Sequence, residues 1–284
     1  MKFRDTPIAP LFVPGSQPDR FIKAIEKSTG DIIIDLEDAV ADSKKQEARD
    51  AISFFLSNFK VDSPQTISVR INAPGTIAHD DDVAWRKNHV KSLDYVVLPM
   101  VEEPEQVSSL YRSLISGSTS VPILAQIETA RGVLNAPDIA TAEGLLTFAF
   151  GAADYANEIG VSTDGETQFL FARSALINAC ASAKLSAPLD SPYFELSNEA
   201  GLCEAVCHSR ELGFGGKLCI HPKQTGIVDS AFRPTEAEIE KSREIVRVFE
   251  EAEQSGKASV KLKDGTFIDY PVYYPAQKRL LKAH

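Results

Sequence analysis

Acidic side chains recur in this chain at the ends of strand-like apolar runs. Asp35, Glu37 and Asp38 follow Ile32-Ile33-Ile34, Glu128 follows Ile123 to Ile127, and Asp154 lies just past Leu146 to Phe150 in Gly151-Ala152-Ala153-Asp154. Arg70 and Asn72 end the run Ile67 to Ile71 in the same way. Carboxylates facing one another inside a pocket repel and are costly to desolvate unless a cation joins them. All-oxygen ligation with room for water is what magnesium takes, so a magnesium site is expected. Such an ion polarises a carbonyl and stabilises the enolate formed when a neighbouring bond breaks, while a guanidinium at Arg70 would clamp a carboxylate or share the developing charge. The chemistry these residues suggest is retro-aldol or Claisen cleavage.

A parallel barrel would bring such residues together, because its βα loops converge on one face. Eight strand-like runs recur with room for a helix between them: Pro10 to Val13, Ile32 to Leu36, Ile67 to Ile71, Tyr95 to Leu98, Ile123 to Ile127, Leu146 to Phe150, a weak one near Ser186 to Leu189, and Lys217 to Ile220. Runs such as Tyr95-Val96-Val97-Leu98 do not alternate with polar residues, which predicts strands covered on both faces. Helix starts are predicted at Ser16 with Pro18 and Asp19, at a Ser43/Gln46 capping box ahead of Ala48, Ile52, Phe55 and Leu56, and at Thr235/Glu238 ahead of Ile239, Ile245, Val246 and Phe249. Alternating strands and helices give right-handed βαβ units, and eight of them favour closure into a (β/α)8 TIM barrel. The barrel is expected over residues 1–254. A C-terminal helical or lid appendage is expected over 255–284, after the polar stretch Ser255 to Lys257 and a turn at Asp264-Gly265.

Composition narrows the partners. The 284 residues are 43% apolar, and 40 acids against 30 bases give a formal net charge of -10. No basic tract supplies the phosphate-neutralising stripe that nucleic-acid binding needs. No apolar run approaches the roughly 20 residues of a membrane span, and the charged start leads into no signal-like segment, so a cytoplasmic protein without membrane partners is expected. Cys180, Cys203, Cys207 and Cys219 are too sparse for a disulfide framework. Cys203, Cys207 and His208 lack the second ligand pair that a closed zinc site requires.

The chain resembles the citrate lyase β-subunit-like proteins, with the malyl-CoA and citramalyl-CoA lyases, in the HpcH/HpaI aldolase superfamily. The matching segments are Leu11 to Gly15, Asp35-Leu36-Glu37-Asp38-Ala39-Val40, Lys44 to Arg49, Val69-Arg70-Ile71-Asn72, Ile127-Glu128-Thr129-Ala130, Phe150 to Asp154, and Gly215-Gly216-Lys217 with Ile220-His221-Pro222-Lys223-Gln224. The resemblance implies a TIM barrel, usually a trimer, with Mg2+ on Glu128 and Asp154 and a substrate-contacting Arg70. Glu37, Asp38 and Asn72 are expected beside the substrate or behind its contacts. The segment Asp264 to Pro271 resembles the one that carries a catalytic aspartate in malyl- and citramalyl-CoA lyases, which would be Asp269, and in those relatives this piece covers a neighbouring subunit's pocket.

Three positions bear on substrate identity. Met100 stands where relatives commonly have lysine, and Gln17 where arginine is frequent. Asp38 stands where the pyruvate-dependent aldolases of the superfamily typically have histidine. His221 is read as a hydrogen-bonded structural residue, and Arg20, Lys44 and Arg49 are candidates to reach CoA phosphates. The expected activity is cleavage or formation of a short β-hydroxy-acyl-CoA, giving acetyl-CoA and a 2-oxo acid. The alternatives are a pyruvate-dependent aldolase and a non-catalytic CoA-binding subunit, the latter opposed by intact Arg70, Glu128, Asp154 and Asp269.

Overall fold

The computed structural model describes residues 6–59, 66–86, 89 and 92–282. Eight strands, β1 (Leu11–Pro14), β2 (Ile32–Asp35), β3 (Ile67–Arg70), β4 (Tyr95–Leu98), β5 (Ile123–Ile127), β6 (Leu145–Phe150), β7 (Leu189–Asp190) and β8 (Gly216–Lys217), form one parallel sheet in chain order. The sheet closes on itself. Phe12 N donates to Cys219 O at 2.8 Å and Cys219 N to Pro10 O at 2.9 Å, so the chain just past β8 pairs with β1. Gly216 is required at this seam, because a Cβ there would lie 2.2 Å from Ile8 O.

Every residue of β2 to β6 is buried, as expected of strands covered on both faces. Alternate residues fill the ring: Ile33, Tyr95, Val97, Leu124, Leu189 and Leu218 belong to one apolar cluster, with Phe12 packed against it. The seventh and eighth strands are the shortest of the ring, with two residues each, and lie slightly offset from the expected runs.

Side chains on the outward face of these two strands supply what the short ladders lack. Asp190 accepts from Lys217 Nζ at 2.8 Å and from Ser209 Oγ at 2.6 Å, and Arg173 Nε lies 3.2 Å away. The four residues join β7, β8 and the helices Leu170–Ser182 and Glu199–Leu212, and all are buried. Burial by itself would raise the Asp190 pKa, but the charges of Lys217 and Arg173 outweigh it and hold the carboxyl below its usual range.

Two expected helix starts differ in detail. Neither Ser16 nor Ser43 caps a helix, because each region enters through a 3-10 turn: Pro18–Arg20 ahead of Phe21–Lys27, and Asp42–Lys44 ahead of Lys45–Asn58. The tighter turn brings Lys45 inward, where its Nζ donates to Leu36 O, Glu37 O and Asn72 Oδ1. Gln46, expected in the capping box, instead accepts from Arg49 Nε at 3.2 Å and Nη2 at 3.0 Å. Ala48, Ile52, Phe55 and Leu56 are buried along the predicted helix face.

The chain divides into two compact units after Ser230. In the second, the Thr235/Glu238 capping box opens the helix Glu236–Gln254 as expected. Ile245 and Phe249 of that helix pack with Leu262, Ile268, Tyr273 and Ala276. The last four come from a short hairpin, β9 (Val260–Lys261) and β10 (Phe267–Ile268), and the helix Tyr270–Lys282. Gly265, at φ 89°, makes the turn expected at Asp264-Gly265. Among the described residues, no helix is long and apolar enough to cross a membrane.

Removing one partner from a buried ion pair leaves an uncompensated charge, which costs about 3 to 5 kcal/mol. Asp190 keeps Arg173 as a cation, so Lys217→Met is expected to lower the unfolding free energy by about 3 kcal/mol, the lower end of that range, in urea titration, with Ser209→Ala costing only about 1 kcal/mol, as for one hydrogen bond.

Candidate active site

The C-terminal ends of the strands surround a cavity of about 420 Å³, lined by Asp35, Asp38, Arg70, Gln126 and Asp154 among apolar neighbours that include Phe12 and Phe150. Asp35 ends β2 and Arg70 ends β3, and the two residues are paired in register. Asp35 takes Arg70 Nε at 2.8 Å and Nη2 at 2.6 Å, a side-on bidentate pair. The same carboxylate accepts from the backbone N–H groups of Glu37 at 2.9 Å and Ala39 at 3.2 Å, so it shapes the loop after β2 as well. The guanidinium lies over the Phe12 ring, 4.8 Å from its centroid.

The arginine is therefore not a free clamp. Its side-on face belongs to Asp35, and Nη1 lies 2.8 Å from Glu37 Oε2, an ion-pair contact without hydrogen-bond geometry. Burial pushes the Glu37 carboxyl up to about 8; Arg70 opposes the rise, while Glu128, Asp38 and Asp35 add to it. Burial works against the charge of Arg70 too, but Asp35, Glu37 and Glu128 prevail and keep it protonated. At neutral pH a carboxyl favouring its uncharged form thus lies beside the guanidinium nitrogen that Asp35 leaves free.

Glu128, just past β5, is 2% exposed. Its Oε1 accepts from Met100 N at 2.7 Å, and its Oε2 accepts from Gln126 Nε2. Met100 adopts φ 52°, a left-handed conformation uncommon for a side-chain-bearing residue. That conformation accompanies the backbone N–H contact to Glu128, which is what this position supplies instead of a cation. Gly151 leaves room for the carboxylate, since a Cβ there would stand 2.4 Å from Glu128 Oε2. Burial first, and then the charge of Asp154, push Glu128 up to about 7, with Met100 N–H opposing. Asp154 is in the first turn of the helix Ala152–Ile159 and exposed toward the cavity it lines.

The chemistry of this donor set suits a cation. An ionised carboxylate accepts about four hydrogen bonds, and Glu128 uses two, so lone pairs remain beside a second acid that repels it. Among the described residues no group of three or more His, Cys, Asp or Glu side chains is arranged to hold a metal by itself. Two carboxylates with the other positions left to water and ligand suit magnesium, which keeps several waters.

The remaining expected residues lie elsewhere. Asn72 does not line the cavity: its amide donates to Asp82 Oδ2 at 2.6 Å and Leu36 O at 3.0 Å and accepts from Lys45. Arg49, a candidate for phosphate contact, is buried and paired with Asp82 at 2.8 Å, whereas Arg20 and Lys44 are exposed. His221 Nδ1 accepts from Lys223 N, a local structural role. Gln224 of the same segment accepts from Ile220 N and His221 N and donates to Tyr193 O, joining the loops after β7 and β8. Asp269 belongs to the second unit and immediately precedes its last helix, where its backbone carbonyl accepts from Val272 N and Tyr273 N.

The sequence pattern did not single out Gln126 or the Met100 backbone. For Gln126 the signal was available: residues 126 and 128 share one face of a strand. For Met100 none was, since the contact is made by the main chain.

A family model described as HpcH/HpaI aldolase/citrate lyase matches residues 9–222. The β-subunit of citrate lyase from Escherichia coli K12 is 31% identical over 96% of this chain and 92% of its own length. The (3S)-malyl-CoA thioesterase of Cereibacter sphaeroides is 33% identical over 96% of this chain and 93% of its own. Among solved structures, the protein CitE from Mycobacterium tuberculosis in complex with magnesium, acetoacetate and coenzyme A superposes with a TM-score of 0.79, at 28% identity, over 99% of both chains.

Glu37 and Glu128 both have folded-state pKa values above the ordinary 4.5. Between that value and about 8 the folded protein binds more protons than the unfolded chain, so its stability falls as pH rises through the window. Thermal unfolding in chelator is expected at a lower temperature at pH 8 than at pH 5.5, and Glu37→Gln should flatten the part of the curve above pH 7. A melting temperature independent of pH across this range would mean the two acids ionise without penalty.

Proposed function

The chain belongs to the HpcH/HpaI aldolase/citrate lyase family, and on that premise we propose that it is a magnesium-dependent carbon-carbon lyase acting on a short β-hydroxy-acyl-CoA. The observation that carries this reading is the buried Glu128, which feels the charges of both Asp154 and Arg70, two residues that line one cavity. The magnesium, acetoacetate and coenzyme A bound by the M. tuberculosis relative support the ligand class. In the cleavage direction the β-hydroxyl loses its proton and the bond between the α- and β-carbons breaks. The electron pair passes to the thioester half, whose α-carbon takes up a proton to give acetyl-CoA, and the other half leaves as a 2-oxo acid.

Glu128 and Asp154 are the residues assigned to hold the ion. Magnesium, when bound, supplies positive charge for the oxygens of the oxo-acid half. Arg70, fixed by Asp35, presents its end-on face to the carboxylate of that half, and Glu37 yields the position. Its uncharged form at neutral pH makes that displacement easier. Asp38 lines the same mouth and Asn72 stiffens the loops behind it. Asp269 is assigned the proton transfer, in a homo-oligomer of the trimeric kind in which residues 255–284 serve as a lid over a neighbouring subunit's cavity.

The assay is incubation of the purified protein and magnesium with malyl-CoA, citramalyl-CoA and related thioesters, following oxo acid and acetyl-CoA together. Stoichiometric release of both is expected, and Glu128→Ala or Asp154→Ala should abolish it. Free CoA with an intact hydroxy acid would instead show thioester hydrolysis and overturn the lyase assignment.

Lysine lacks the planar fork that meets Asp35 and a ligand at once, so Arg70→Lys should lose about tenfold or more in kcat/KM. Unaltered kinetics would leave Arg70 a purely structural partner of Asp35.

Mixing Asp269→Asn with Arg70→Ala chains should restore activity that neither shows alone. Verified subunit exchange without recovery would remove Asp269 from a neighbour's site.

A further inference from the structure

We infer that Gln126 is a positioning residue that holds the Glu128 carboxylate in the orientation needed for the ion, an inference that rests on the assignment of Glu128 as a magnesium ligand. Along β5, Leu124 belongs to the apolar interior of the ring, and residues 126 and 128 follow on the same strand face. An amide is out of character there, since Phe12, Phe150, Leu218 and Ile220 line the same cavity. Gln126 is 5% exposed, and its Oε1 has no hydrogen-bond partner among the described residues. A buried carbonyl left unpaired works against stability, so the amide is not there to strengthen the core.

Its other end explains its presence. Nε2 donates to Glu128 Oε2 while Met100 N donates to Oε1 at 2.7 Å, so each carboxylate oxygen has one donor. The orientation of the amide suits the ion-binding form of Glu128: an ionised carboxylate only accepts, so the NH2 group faces it. The donors come from different places, Gln126 from β5 and Met100 from just past β4, and together they stop the carboxylate from rotating. Gly151 accommodates the pair, since a Cβ there would stand 2.4 Å from Glu128 Oε2 and 3.2 Å from Gln126 Nε2. Partners that orient a metal ligand without touching the metal typically change metal affinity by 10- to 100-fold when removed.

The test is calorimetric titration of metal-free protein with magnesium, for wild type, Gln126→Met, Gln126→Leu and Glu128→Ala, alongside the melting temperature of each in chelator. Both Gln126 variants are expected to bind magnesium about tenfold or more weakly, while melting within about 4 °C of wild type, because an apolar side chain suits the interior at least as well. Wild-type affinity in either variant would overturn the inference. So would a weakened affinity accompanied by a larger fall in metal-free melting temperature, which would mark damaged packing as the cause. Glu128→Ala separates the two assignments: if it binds magnesium normally, the ligand assignment fails. If it does not bind while the Gln126 variants bind like wild type, only the role of Gln126 fails.

Discussion

Asp35 is the carboxylate on which the mouth of the barrel depends. It receives four donors, two from Arg70 and two from the backbone of its own loop. That number fills the acceptor capacity of an ionised carboxylate. One buried side chain thus fixes the end of β3, the course of the chain after β2 and the direction in which the guanidinium faces. A bidentate charge-assisted pair is directional as well as strong. The arginine consequently cannot swing to follow a ligand, and whatever binds must come to the face that Asp35 leaves open.

The second consequence is electrostatic. Asp35, Glu37, Glu128 and Asp154 share surroundings in which Arg70 is a cation close enough to influence three of them. Burial raises Glu37 and Glu128 toward neutrality instead of allowing full ionisation of the group. Raised in this way, Glu37 and Glu128 take up protons more readily than ordinary carboxyls do. A divalent cation offers the alternative, exchanging bound protons for metal charge and coupling metal affinity to pH.

Much of this was legible in the sequence, because strands covered on both faces are written as unbroken apolar runs and the acids sit at their ends. The seventh strand was faint for a physical reason: with two residues it carries no run, and its place is fixed by the Asp190, Lys217 and Arg173 cluster, whose partners are far apart in the chain. Ser16 and Ser43 have the composition of helix caps, yet local pattern cannot tell a 3-10 entry from an α-helical one, and after Ser43 the Lys45 side chain is drawn inward by partners distant in the chain. Among the site residues, the strand ends identified which side chains to consider but not which would be occupied by one another. That Arg70 is already paired, that Asn72 and Arg49 meet at Asp82, and that a methionine contributes its main chain are all facts of three-dimensional proximity.

Gln224 carries an implication for how the site can change over evolutionary time. One amide joins the loops after β7 and β8, taking N–H groups from Ile220 and His221 and giving its own to Tyr193. In most βα barrels each loop can be lengthened or exchanged with little regard for its neighbour, which is how one scaffold hosts many chemistries. Here these two loops form a single heritable module. An insertion in either that displaces Gln224 leaves polar groups of the other without partners, so diversification on this side of the mouth must proceed by paired changes or be confined to the remaining six loops.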